Sequence, residues 1–94
     1  MFGEVRVLAD SIARFDRDHA RQLRRSSLSV VNNIAEGSGG RGGTRTARYC
    51  DAIGSARETL AGLEAAEVAQ YISIDPALRE RFKHIIGTLV KIVY

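Results

Sequence analysis

The sequence contains no tryptophan, one proline and a single cysteine, Cys50, among its 94 residues. Because one cysteine cannot form a disulfide within the chain, a disulfide-stabilised fold is excluded. The longest apolar stretch falls well short of the roughly 20 residues that span a bilayer. The first residues also lack the cationic and apolar regions of a signal peptide. We therefore expect a cytoplasmic protein that does not contact a membrane.

Side chains that commonly carry catalysis or bind metals are also scarce. The two histidines, His19 and His84, lie on different segments, and Glu80 stands four residues before His84. Metal sites in helical bundles instead use Glu-x-x-His, a spacing of three residues. No neighbour of Cys50 is of the kind that activates a thiolate, so we interpret it as a structural cysteine. The sequence predicts no catalytic residue, metal, cofactor or small-molecule substrate.

Apolar residues recur at intervals of three and four along most of the chain, which is the pattern of a helix with one buried face. This pattern covers segments 3–16, 20–36, 44–71 and 76–94. No segment alternates apolar and polar residues as a strand does, and a chain of this length allows one core. The sequence predicts an all-α fold, in which residues 1–94 form a single-domain antiparallel up-down-up-down four-helix bundle.

Capping residues set the predicted ends of the helices. Asp18, Thr44 and Asp75 are expected to cap the N-termini of the second, third and fourth helices. Gly37 is expected to end the second helix in the left-handed conformation that glycine tolerates. Residues 37–43, Gly-Ser-Gly-Gly-Arg-Gly-Gly, would then form a flexible loop.

The predicted glycine-rich loop has some features of a phosphate-binding loop. It lacks the lysine and Ser or Thr that end a triphosphate-binding loop, and no buried strand precedes it. Arg41 within the loop, together with the positive N-terminus of the third helix, is a candidate contact for a nucleic-acid phosphate.

The last helix has more apolar surface than one core requires. Its main stripe, which includes Ile92, is expected to face the core, as is Phe15 at the end of the first helix. A second stripe of Ile86, Val90 and Val93 lies beside the first, and together they exceed one core-facing face. We interpret the second stripe as the interface of a homo-oligomer, because an exposed Ile-Val patch favours aggregation. The alternative is that these residues tighten the bundle of a single chain.

Positive charge is concentrated between residues 14 and 48, which include eight arginines and three acidic residues. We expect two basic ridges, one on the second helix and one at the start of the third, to flank a groove. Such a groove would bind the phosphate backbone of RNA or DNA. The candidate nucleic-acid-binding residues are Arg21, Arg24, Arg25, Arg41, Arg45 and Arg48.

A second reading of the arginines remains open. They would then lie on a solvated face, some of them paired with acidic residues, in a scaffold that binds other proteins and no nucleic acid. Aromatic side chains for base stacking are few: Tyr49 is expected in the core, which leaves Tyr71 and Tyr94. The sequence therefore does not favour sequence-specific recognition of single strands.

Polar residues occur where the second and third helices are expected to pack. Asn33 and Glu36 lie near the apolar side of the second helix, where unpaired polar groups are costly. We expect them to form hydrogen bonds with the start of the third helix and the glycine-rich loop. Together with Ser55 and Glu58, they form a predicted structural polar cluster that holds the two helices together.

Two short segments carry a resemblance to a known family. Residues 33–37, Asn-Ile-Ala-Glu-Gly, and residues 54–58, Gly-Ser-Ala-Arg-Glu, resemble motifs of the four-helix bundle protein family. That family is also called the intervening-sequence protein of large-subunit ribosomal RNA. The likeness extends over residues 5–92. It implies an antiparallel four-helix bundle, assembled into a ring that is typically a homopentamer, without catalytic activity.

The same resemblance implies which partners to consider. The chain is similar in fold to the accessory variability proteins of diversity-generating retroelements, which bind a reverse transcriptase and nucleic acid. The chain departs from the family pattern in its short N-terminus and its longer glycine run. The residues at the family's motif positions are Arg25, Asn33, Glu36, Gly37, Tyr49, Gly54, Ser55 and Glu58.

Overall fold

The computed structural model describes residues 1–94 and contains four helices and no strand. Each connection returns the chain along the previous helix, which gives the antiparallel up-down-up-down bundle that the sequence predicts. None of the four combines the length and apolar character needed to cross a membrane. The helices are α1 (Phe2–Ala13), α2 (Arg17–Gly39), α3 (Gly42–Val68) and α4 (Pro76–Val93).

The turn between α1 and α2 lies about three residues earlier than predicted. Asp16 caps α2, because its carboxylate accepts the backbone N–H of His19 at 2.9 Å. The predicted cap, Asp18, lies instead in the first turn of α2 and accepts hydrogen bonds from the side chains of Arg21 and Gln22. A carboxylate can cap a helix only from the residue just before its first turn, so the position of the turn selects Asp16.

Phe15 lies in this turn and not on the core-facing stripe of α1. Since α1 ends at Ala13, the helical spacing that would direct Phe15 toward the core no longer applies. Its side chain is 64% exposed, and its ring stacks on that of Tyr71. The expectation that Phe15 belongs to the core is therefore wrong.

The predicted flexible loop at residues 37–43 is almost entirely helical. Helix α2 continues to Gly39 and α3 begins at Gly42, so only Gly40 and Arg41 connect them. The left-handed conformation falls on Gly42, whose φ is +56°. Glycine is suited to this position because it has no Cβ to oppose a positive φ. Thr44 accordingly lies inside α3 and does not cap it.

Gly37 serves a packing role in place of the predicted helix-ending role. It is buried within α2, and a Cβ built on it would lie 2.5 Å from Cε1 of Tyr49. The absence of a side chain at Gly37 therefore allows the Tyr49 ring to lie directly against α2. Tyr49 itself is 6% exposed, which confirms its prediction as a core residue.

The connection between α3 and α4 begins earlier than predicted and ends where expected. Helix α3 stops at Val68 and not at Tyr71, and Gln70 follows with a positive φ of 64°. Asp75 accepts the backbone N–H of Ala77 at 3.0 Å, so it caps α4 as predicted, with proline in the first turn.

The core has two parts along the length of the bundle. The first cluster contains twelve buried residues from all four helices and the last connection, including Ile12, Leu63 and Phe82. The second cluster contains only α3 and α4 residues. It consists of Tyr49, Ala52, Ile53 and Leu89. The short α1 thus covers one end of the bundle and does not contribute a buried residue to the other.

The hairpin of α2 and α3 projects beyond the remaining helices. These helices have 23 and 27 residues, whereas α1 and α4 have 12 and 18. Tyr94, just past α4, lies beside Cys50, with its hydroxyl 3.9 Å from the thiol. This hydrogen bond raises the pKa of Tyr94. Residues 41–48, which precede Cys50, are all exposed. We call residues 38–47 the hairpin tip.

Candidate nucleic-acid interface

A polar groove runs between α2 and α3 on the outer side of their hairpin. It consists of two cavities of about 390 and 350 Å³ that share Arg25 and Ser29 in their walls. The first cavity has no hydrophobic residue in its wall, and its α3 side includes Ser55 and Glu58. The second extends toward the hairpin tip and includes Arg48. The groove thus connects the middle of the bundle with the hairpin tip.

Small hydroxyl side chains form the floor of the polar groove. The hydroxyls of Ser29 and Ser55 lie 2.8 Å apart, and the Thr59 hydroxyl lies 2.9 Å from that of Ser26. Thr59 is fully buried, and no buried side-chain polar atom lacks a hydrogen-bond partner. Small side chains let two helices approach closely, and the shared hydrogen bonds offset the cost of burying hydroxyls.

Sequence reasoning did not identify Ser26, Ser29 or Thr59. A signal was present, because Ser26, Ser29 and Asn33 follow one another at intervals of three and four residues. Ser55 and Thr59 are similarly separated by four. This spacing places small polar residues on one face of each helix, which is typical of a polar seam between two helices.

The predicted structural polar cluster is only partly brought together. Asn33 donates to the carbonyl oxygen of Ser29 at 2.9 Å and to its hydroxyl at 3.0 Å. Both bonds lie within α2, whereas the expected partners were at the start of α3 and in the glycine-rich loop. Ser55 is linked to Asn33 through the hydroxyl of Ser29. Glu36 forms an ion pair with Arg48 at 3.0 Å, near the start of α3 as expected.

Glu58, the fourth member of the predicted polar cluster, lies farther along the groove. It shares a cavity wall with Arg25, and neither side chain takes part in an ion pair. The groove therefore contains two positive and two negative side chains. Arg48 and Glu36 form an ion pair, whereas Arg25 and Glu58 have no charged partner.

Two of the six candidate arginines line the polar groove and two lie at the hairpin tip. Arg25 and Arg48 are the groove residues. Arg41 and Arg45 are exposed at the tip, where the Arg45 guanidinium lies 5.3 Å from the centre of the Tyr49 ring. Stacking on an aromatic ring leaves the hydrogen-bond donors at the guanidinium edge accessible.

The other two candidate arginines lie far from the hairpin tip and are neutralised. Arg21 pairs with Asp18, and Arg24 pairs with Asp10 of α1. About 27 Å of helix separates Arg21 from Gly39 at a rise of about 1.5 Å per residue. Of the two predicted basic ridges, only Arg25 on the α2 side and Arg48 on the α3 side line the groove, whereas Arg21 and Arg24 lie outside its walls.

The start of α3 is a positively charged helix end without a side-chain cap. Arg41 occupies the capping position but forms no capping hydrogen bond, and the first turn contains no acidic residue. Arg41 also takes part in no ion pair. Free backbone N–H groups at a helix N-terminus carry partial positive charge and accept anions. Arg41 and Arg45 add full positive charges at the same place.

The apolar residues of α4 are divided between the core and the surface differently from the prediction. Ile86, Val90 and Val93 are half-buried and pack on the second cluster of their own chain, and Ile86 also packs on the first. Ile92, expected in the core, is 52% exposed. Its position at the edge of the core-facing arc places it outside the contact with α3. The exposed parts of these side chains leave the predicted interface open as a hypothesis.

A second apolar surface lies between α1 and α2. Leu28 and Val31 are 60% and 42% exposed, and together with Phe2 and Val5 they line a cavity of about 440 Å³. Arg24 lies at its edge. This surface adds to the apolar area that a single chain leaves in contact with water.

Comparison with known proteins identifies the family to which the chain belongs. Residues 7–92 match the family described as 23S rRNA-intervening sequence protein. This range includes most of α1 and all of α2 and α3, and it ends one residue before the end of α4. No curated protein and no solved structure matches the chain. The resemblance seen in the sequence motifs is confirmed, and the chain belongs to the 23S rRNA-intervening sequence protein family.

Proposed function

We propose that this chain is a non-enzymatic helical-bundle protein that binds the phosphate backbone of RNA with its hairpin tip and polar groove, and that it does so as a homo-oligomer. The observation that carries this proposal is the uncapped start of α3. It projects beyond α1 and α4 and carries Arg41 and Arg45 without an acidic residue in its first turn.

The chemistry of the hairpin tip matches that of a phosphodiester. Backbone N–H groups at the start of α3 offer directional hydrogen bonds, and Arg41 offers a guanidinium that no carboxylate occupies. In the adjoining groove, Arg25 is likewise free, and the Glu36 carboxylate holds Arg48 in place. The family name associates such proteins with 23S ribosomal RNA, which favours RNA over DNA as the polyanion.

Assembly into an oligomer would increase the affinity of a small site. The apolar surfaces of α4 and of the α1–α2 cavity provide area for contacts between copies, including Leu28 and Ile92. Several tips on one particle would bind one RNA together, because each contact raises the local concentration for the next. A reverse transcriptase partner, implied by the fold resemblance, stays a prediction.

A scaffold without nucleic-acid binding is the second candidate function. It is favoured by the ion pairs of Arg21, Arg24 and Arg48, each of which has a carboxylate partner. The absorbance ratio of the purified protein at 260 and 280 nm tests it directly. A ratio typical of protein alone would favour the scaffold, whereas co-purified nucleic acid would support the RNA-binding proposal.

A salt-titrated RNA-binding assay with paired variants tests the proposed function. In Arg41→Ala/Arg45→Ala, we expect affinity at low salt to fall about tenfold or more. The slope of log K against log salt should decrease by about 1.4, since each lost contact to a single strand removes about 0.7. The control is Arg57→Ala/Lys83→Ala, which removes the same charge from exposed residues outside the tip, the groove and the α1–α2 cavity. RNA binding that does not depend on salt, or equal losses in both variants, would contradict the proposal.

A further inference from the structure

An aromatic pair lies at the end of the bundle opposite the hairpin tip. The rings of Phe15 and Tyr71 are 5.1 Å apart between centroids and almost parallel, at 4°. Phe15 comes from the α1–α2 turn and Tyr71 from the connection between α3 and α4. Two separate turns therefore meet to form one stacked pair.

The inner ring of the pair is held firmly by the bundle. Tyr71 is half-buried against the first core cluster. The His19 ring lies edge-to-face on it, with 6.2 Å between the ring centroids. Nε2 of His19 is in turn hydrogen-bonded to the carbonyl oxygen of Gly62 at 2.8 Å. Tyr71 thus gives Phe15 a fixed surface on which to lie.

The outer ring of the pair remains open to solvent. Phe15 is 64% exposed even though Tyr71 covers one of its faces. Because Tyr71 stacks against only one side of the ring, the opposite face of Phe15 has no aromatic partner. A flat, open aromatic face on a rigid support is suited to stacking another planar group.

The residues on either side of Phe15 provide unneutralised positive charge. Arg14 and Arg17 are exposed and take part in no ion pair. The two nearby carboxylates are engaged, since Asp16 caps α2 and Asp18 pairs with Arg21. An open aromatic face flanked by free arginines is the combination with which proteins bind unpaired nucleotides, base on ring and phosphate on guanidinium.

We propose that Phe15, supported by Tyr71 and flanked by Arg14 and Arg17, is a stacking platform for an unpaired base of single-stranded RNA. The platform rests on the proposed function, because it presupposes that RNA binds. It is separated from the hairpin tip by the length of α2, about 34 Å for its 23 residues. Either contact can therefore be removed without altering the other.

Two oligonucleotides with the same number of phosphates test the platform. One is a single-stranded 12-nucleotide RNA, and the other has abasic residues in place of its central bases. We expect the intact protein to bind the base-containing strand about tenfold more tightly than the abasic strand. In Phe15→Leu this preference should disappear, while affinity for the abasic strand remains unchanged.

Two further variants control for stability and for aromatic exposure in general. Phe15→Trp should keep the preference, and because the chain has no other tryptophan, quenching of its fluorescence reports base stacking directly. Tyr94→Leu removes an 87% exposed aromatic ring elsewhere and should also keep the preference. A cooperative thermal unfolding transition for each variant is the check that it is folded.

The possible failures are distinguishable. Equal binding of both strands by the intact protein, or an unchanged preference in folded Phe15→Leu, overturns the platform and leaves the proposed RNA binding standing. Failure of the intact protein to bind either strand at low salt overturns the platform and the proposed function together.

Discussion

The two ends of this bundle share α2 and α3 but differ in what supports these two helices. At the end with the α1–α2 turn, four chain segments meet, and Phe82 and Ile12 are completely buried. At the hairpin tip, only α2 and α3 remain, and every residue from 41 to 47 is exposed. The supported end can hold an aromatic ring in a fixed orientation. The tip instead exposes backbone N–H groups and arginines, which need little burial to bind phosphate.

The largest expected difference between the two ends concerns core stability. Phe82→Ala should lower the free energy of unfolding by about 3–5 kcal/mol, since it leaves a cavity in the four-helix part of the core. Leu89→Ala in the smaller second cluster should cost about 2–3 kcal/mol, because its surroundings are partly exposed and can relax. Urea unfolding measures both, with Phe82→Leu as a milder variant if alanine unfolds the chain. A larger loss for Leu89→Ala would reverse the comparison.

The contact between α2 and α3 at the base of the tip gives the next largest effect. Gly37→Ala should destabilise the protein by about 1–3 kcal/mol, because the new Cβ would overlap the Tyr49 ring. Gly39→Ala is the matched control in the same helix, where a Cβ meets no atom within 4 Å. Helix propensity should make that variant slightly more stable, by up to about 1 kcal/mol. Equal melting temperatures for the two variants would show that Tyr49 does not pack on Gly37.

The smallest expected effect tests the turn that presents Phe15. Asp16→Ala removes the cap of α2 and should cost about 1 kcal/mol. Asp18→Ala removes only exposed contacts with Arg21 and Gln22 and should cost less than about 0.5 kcal/mol. Thermal unfolding of both variants at one pH makes the comparison. If Asp18→Ala were the more damaging, α2 would begin later than it does in the structure.

Helical spacing predicts most of this fold because burial of one face repeats over many residues. The stripes through Val30, Leu63 and Leu78 all reach the core, and Asp75 caps α4 where the Asp-Pro pair indicates. Errors concentrate at helix ends, where the spacing rule stops applying. Phe15 and Ile92 both continue an apolar stripe in sequence, yet neither is buried.

The candidate site was less predictable than the fold, since it depends on pairs of helices. The arginines could be identified by composition, but their division among groove, tip and far end follows from the length and rotation of α2. The spacing of Ser26, Ser29 and Thr59 is visible in the sequence, but their hydrogen bonds between α2 and α3 follow only from the packing of the two helices. A carboxylate such as Asp10 neutralises Arg24 from another helix, which no local pattern indicates.

The amino-acid sequence by itself determined the four amphipathic helices, the single-domain bundle and the family, because each depends on residue type and spacing along the chain. Only the tertiary structure decided that Gly37 makes room for Tyr49, that Arg41 remains unpaired, and that Phe15 lies open on Tyr71. Those outcomes depend on which residues of different helices meet at the same height. Relative helix lengths set those heights, and a shift of a few residues in one turn changes which side chains are buried.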